Sequence, residues 1–131
     1  MMKRKTSKPE DLSVEISFLE GLRSQMPGDS SVLKLLGDDY TQAGRIQEGL
    51  EVDLQLAALF PADPMVYFNL ACSHSLVGDL KASAQALCRA IRLGYDDWDW
   101  MREDTDLANL RRSEEFLAVT FLVEGRYGQK V

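Results

Sequence analysis

Shifted against itself by 34 positions, the 131-residue chain brings its structural punctuation into register. Asp29, Asp63 and Asp97 coincide, as do Pro27 with Pro61 and Gly44 with Gly78. Apolar positions follow the same shift: Val32 meets Val66, Leu36 meets Leu70 and Leu59 meets Leu93. Two longer series, Leu12–Ile46–Leu80 and Ile16–Leu50–Ala84, extend the register toward the N-terminus. A period of this length marks a supersecondary unit used more than once, because one such unit cannot bury its apolar face alone.

Each unit reads as two antiparallel helices. Val32, Leu33, Leu36 and Tyr40 recur at helical spacing, and Gly44 ends that segment as a C-terminal cap. The following segment places Ile46, Leu50, Leu54, Ala57 and Ala58 on one stripe and is closed by Pro61. The second unit opens with Asp63-Pro64, an N-cap followed by proline at the first helical position. Val66, Tyr67, Leu70, His74 and Val77 then run to Gly78. Asp79 caps a further helix bearing Leu80, Ala84, Leu87 and Ile91, which stops at Gly94. No stretch alternates strictly enough for a half-buried strand, so the expected class is all-α.

A helix–turn–helix unit of this period, with small residues where helices cross, resembles the tetratricopeptide repeat. Leu33, Leu36-Gly37, Tyr40, Gly44 and Pro61 match the family's pattern in the first unit. Tyr67, Leu70-Ala71, Gly78, Ser83, Leu87 and Ala90 match it in the second, with His74 standing where an aromatic is usual. The first unit departs from the pattern at Gly49, Asp53 and Leu56. The resemblance implies a right-handed helical solenoid comprising a half repeat at 9–27, repeats at 30–63 and 64–97, and a C-terminal cap at 98–127. Together these would make one domain over 9–131.

The half repeat is expected as a helix over about residues 9 to 26, with Leu12, Ile16, Leu19, Leu22 and Met26 as its apolar stripe. Ser7-Lys8-Pro9-Glu10 has capping-box spacing, and Glu15, Glu20 and Arg23 are assigned to solvent. Beyond Gly94 lies a dense aromatic and acidic stretch with Tyr95, Trp98, Trp100, Met101 and Leu107. Its order of residues, Asp104-x-Asp106-Leu107-x-x-Leu110-Arg111, resembles the closing segment of bacterial proteins of this family. A terminal cap whose Asp residues begin short helices is preferred over an acidic binding site. Ser113 is expected to cap a last helix carrying Phe116, Leu117, Phe121 and Leu122.

Charge and composition narrow the function. Fifteen Lys and Arg against twenty-one Asp and Glu give a net charge of −6, which disfavours nucleic acid and anionic membranes as partners. The basic residues Lys3, Arg4, Lys5 and Lys8 cluster at the start, in what reads as a disordered arm over 1–8. Cys72 and Cys88 have no metal-ligand spacing and only His74 for company, so no metal or other cofactor is expected. They read as reduced, packed thiols, which suits a cytoplasmic setting. There is no phosphate loop, nucleophile elbow or His-Glu-x-x-His helix, and the chain is not expected to be an enzyme.

The family resemblance implies a scaffold that binds a protein segment in a groove lined by the first helix of each unit. Carried over by repeat position, the groove residues are Lys34, Leu35, Asp38, Met65, Phe68, Asn69 and Cys72, joined by Asp99 and Arg102 from the cap. Some family members clamp a C-terminal carboxylate with Lys, Asn and Arg, and Lys34 and Asn69 match that clamp. Asp38 stands where an Asn is needed, and Asp99 and Glu103 where cations are needed, so a basic or apolar segment is the expected partner. A self-assembling structural subunit, forming homo-oligomers or filaments, and a secretion chaperone on the same repeat are the alternatives.

Overall fold

The computed structural model describes residues 9–131; the expected basic arm at 1–8 and the capping-box residues Ser7 and Lys8 lie outside the described residues. The described chain is all-α, with eight α-helices and no strand. Among the described residues no helix is long and apolar enough to cross a membrane. The chain divides into two compact units, one ending at Pro61 and the other running from Ala62 to Val131.

The first unit contains α1 (Pro9–Gln25), α2 (Ser30–Gln42) and α3 (Ile46–Leu59). Helix α2 begins where the Asp29 carboxylate accepts a hydrogen bond from the Val32 amide at 3.0 Å and satisfies one of the donors a helix start leaves open. It ends at Gly44, whose φ of 78° lies in the left-handed region that favours glycine. Val32, Leu33, Leu36 and Tyr40 are buried, as their spacing predicts. Helix α1 packs on α2 through Leu12, Ile16 and Leu19. The expected stripe is shorter at its C-terminal end, since Met26 falls beyond the helix and is exposed.

Helix α3 is rotated from the expected stripe. It buries Gly49, Val52, Asp53 and Leu56, whereas Leu54 and Ala58 face outward. The reason is the crossing with α2. A Cβ on Gly37 would stand 3.3 Å from both Val52 Cγ1 and Asp53 Oδ1, and one on Gly49 would stand 2.9 Å from Thr41 Oγ1. Backbones approach closely at these glycines, so the face containing Gly49 turns inward regardless of where the larger apolar residues lie.

The second unit contains α4 (Pro64–Val77), α5 (Leu80–Arg92), α6 (Trp98–Glu103), α7 (Ala108–Arg111) and α8 (Phe116–Leu122). The α4–α5 pair repeats the α2–α3 design. Asp63 accepts from the Met65 and Val66 amides at 2.9 and 3.4 Å, and Gly78 closes the helix with φ of 85°. Ala71 and Ser83 occupy the crossing where α2–α3 has Gly37 and Gly49. The Ser83 hydroxyl donates to the Ala71 carbonyl at 2.7 Å, while in the first unit the equivalent Gly37 carbonyl accepts from Thr41 Oγ1 at 3.1 Å. The same buried acceptor is thus satisfied from different helices in the two pairs.

The segment after Gly94 folds onto α4 and α5. Asp97 starts α6 by accepting from the Trp100 amide at 3.1 Å, and Asp104 starts the next turn by accepting from the Asp106 amide at 3.0 Å. Arg111 donates to the carbonyls of Met101 and Asp104 at 2.9 and 2.7 Å, tying the segment to itself. Helix α8, prolonged by a π-helical turn over Val123–Tyr127, buries Val119 and Val123. Ser113 is not its cap: the Ser113 hydroxyl donates back to the Leu110 carbonyl at 2.7 Å, and α8 starts without a side-chain cap.

Candidate functional site

The residues expected to line a groove divide by helix. On α2, Lys34 and Leu35 are exposed and Asp38 is half-buried, with Gln42 Nε2 donating to Asp38 Oδ2 at 3.2 Å. Lys34 and Asp38 are four residues apart, so they share one helical face. That face is polar, and the buried face of the same helix carries Leu33, Leu36 and Tyr40.

On α4 the expected set splits. Met65 and Asn69, one turn apart, are half-buried. Phe68 and Cys72 are core residues instead, with Phe68 fully buried and Cys72 exposed by only 3%. Phe68 stacks on Tyr95, ring centroids 4.4 Å apart and planes 12° from parallel. The Cys72 thiol donates to Asp104 Oδ2 at 3.6 Å. The chain's own segment 95–107 therefore covers this part of α4. Burial pushes the Tyr95 hydroxyl far above its ordinary pKa, aided by the nearby acids, and that hydroxyl donates to the Asp97 carbonyl at 3.1 Å. Asp99 and Arg102 lie on α6 and form an ion pair with each other, and Arg102 also donates to the Lys130 carbonyl at 2.7 Å.

His74 is half-buried, and its Nδ1 has no hydrogen-bond partner among the described residues. Burial lowers its pKa, partly offset by Asp79, which favours the neutral ring. Cys88 is buried, and burial raises its pKa, so it stays a thiol at neutral pH. Among the described residues no group of three or more His, Cys, Asp or Glu side chains is placed to hold a metal ion.

Sequence reasoning misses a polar cluster in the first unit. Tyr40 donates its hydroxyl to Glu20 Oε2, Arg45 lies over the Tyr40 ring at 4.8 Å, and Arg45 bonds Glu48 through two nitrogens at 2.7 and 2.8 Å. Burial, then the Glu20 hydrogen bond and charge, push the Tyr40 pKa up to about 12. Helical spacing assigns Glu20 to solvent, but its carboxylate links α1 to α2. The signal is faint because the partners come from three separate segments.

The geometry defines an all-helical protein built from antiparallel helix pairs with small residues at their crossings. No family model matches the chain. Over 83 residues it is 30% identical to a chloroplastic protein of Arabidopsis thaliana, covering 61% of this chain and 25% of that protein. The chain thus matches about a quarter of that relative's length. No solved structure matches it.

Proposed function

We propose that the chain is a tetratricopeptide-type interaction module that holds a protein segment against the outward faces of its first helices, α2 and α4. The observation that carries this reading is the 34-residue register realised as two equivalent helix pairs, each with an Asp cap, a small-residue crossing and a left-handed glycine end. The reading implies a solenoid, and it implies binding without catalysis. Lys34, Leu35, Asp38, Met65 and Asn69 remain as its contact residues, since Phe68 and Cys72 are taken by the cap. A cytoplasmic setting, in which Cys72 and Cys88 stay reduced, belongs to the same proposal.

The preferred ligand is a basic or neutral-apolar segment rather than an acidic free C-terminus. Asp38 on α2 repels a carboxylate where a clamp would need a neutral amide. Asp99 contributes less to that repulsion than its charge suggests, because Arg102 is bonded to it. A peptide array read at low and high salt tests the preference. The expected result is capture of Lys- or Arg-bearing peptides that weakens with salt, as screening shortens the reach of charge to about 10 Å at 0.1 M. Selective capture of acidic C-termini contradicts it, as does capture of basic peptides that Asp38→Asn leaves unchanged.

A further inference from the structure

The four most exposed large apolar side chains among the described residues fall at two places, and the surroundings of the two differ in charge. On α1, Val14 and Phe18 are 72% and 65% exposed. They are one turn apart and form a short stripe opposite the buried Leu12, Ile16 and Leu19. Repeat register explains why this stripe exists. Phe18 aligns with Val52 and Ala86, which are 1% and 7% exposed in α3 and α5, the second helices of the two pairs. Each of those helices packs on the helix that precedes it in the chain, α2 or α4, whereas α1 packs on α2, which follows it, and has no preceding helix among the described residues. The exposed acids Glu10 and Asp11 open the same helix.

In the second unit, α8 presents Leu117 and Phe121, 57% and 76% exposed and again one turn apart. Beside them, between α5 and α8, runs an open cleft of about 360 Å³ floored by Ala84, Cys88 and Ala118. Ala118 lies three residues before Phe121, which puts the cleft and the exposed pair on adjoining faces of α8. Lys81 and Arg92 flank the cleft, against the single carboxylate of Glu115.

We propose that the chain associates head to tail with itself, the α1 stripe of one copy lying in the α5–α8 cleft of the next. Val14 and Phe18 supply the apolar knobs, and Ala84, Cys88, Ala118, Leu117 and Phe121 supply the surface that receives them. Glu10 and Asp11 meet the cations Lys81 and Arg92. Two different patches are joined, so the contact is heterologous and each copy keeps one free face of each kind. Such contacts continue into rings or filaments rather than stopping at a dimer. None of the residues assigned to partner binding is used, so this inference stands or fails separately from that reading.

Sedimentation or light scattering from about 1 µM to about 1 mM spans the relevant affinities. The wild-type protein is expected to pass beyond the mass of a dimer as concentration rises, and less so in high salt. The decisive arm uses Phe18→Glu, which spoils the stripe, and Phe121→Glu, which spoils the receiving surface. Both side chains are exposed, and circular dichroism checks that each variant keeps its helices. Each variant alone is expected to be monomeric, whereas their equimolar mixture forms a one-to-one dimer and nothing larger, because only one intact stripe and one intact cleft remain per pair. A wild-type protein that stays monomeric throughout overturns the proposal. So does a mixture that stays monomeric, or a single variant that dimerises on its own.

Discussion

The hydroxyl of Tyr40 is the most consequential polar atom in the first unit, because it donates to a carboxylate on another helix while its ring lies buried beneath Arg45. Hydrogen bonds to charged partners contribute more than neutral ones, but Glu20 is partly exposed and can regain water when the bond is lost. Tyr40→Phe should therefore destabilise the protein by about 1 kcal/mol, read by urea unfolding. Its pKa of about 12 lies above the ordinary 10.0 of tyrosine. This stabilisation is complete below pH 10 and is lost as pH rises toward 12. Ultraviolet titration should show a tyrosine ionising late in the wild type, with that late component reduced in Tyr40→Phe. His74 acts on the acid side. Its folded pKa is lowered below the ordinary 6.5, so the unfolded chain takes up the proton first and stability falls as pH drops below 6.5. His74→Gln should flatten that fall, as measured by melting temperature between pH 7 and pH 5.

At the scale of elements, the helix crossings set the register of the pairs. Ala71 is fully buried, and its carbonyl is held by Ser83. Ala71→Leu should overpack the crossing of α4 and α5 and cost about 1–3 kcal/mol, read by thermal or urea unfolding. A variant that melts with the wild type would mean the register is misassigned. Gly21 provides the opposite case, since it lies inside α1 and a Cβ there meets nothing within 4 Å. Gly21→Ala should stabilise the chain by about 0.5–1 kcal/mol at low protein concentration, through helix propensity alone. What a local stretch of sequence dictates was legible at this scale. Asp29, Asp63, Asp79 and Asp97 cap the helices they precede because the acceptor and the amides it serves are only a few residues apart. The face of α3 was not legible, because the pull of Gly37 and Gly49 outweighs that of Ile46, Leu50 and Leu54, and glycines add nothing to an apolar stripe.

For the molecule as a whole, the helix order and the 34-residue period could be read directly, whereas the availability of the candidate site could not. Phe68 and Cys72 carry the right repeat positions, but their fate depends on Tyr95 and Asp104, partners more than two dozen residues further along the chain. The aromatic residues that follow Gly94 show apolar demand in sequence without saying which face they will cover. What remains for a partner is the pair of half-open faces on α2 and α4, and the central claim is that these faces bind. Amide NMR of the labelled protein, titrated with a short Lys- and Arg-bearing peptide of otherwise neutral composition, tests it most directly. The account predicts shifts centred on Lys34, Leu35, Asp38, Met65 and Asn69 that shrink as salt is raised. Saturable shifts confined to α5 and α8, or no shifts on α2 and α4 at any peptide concentration, would contradict it.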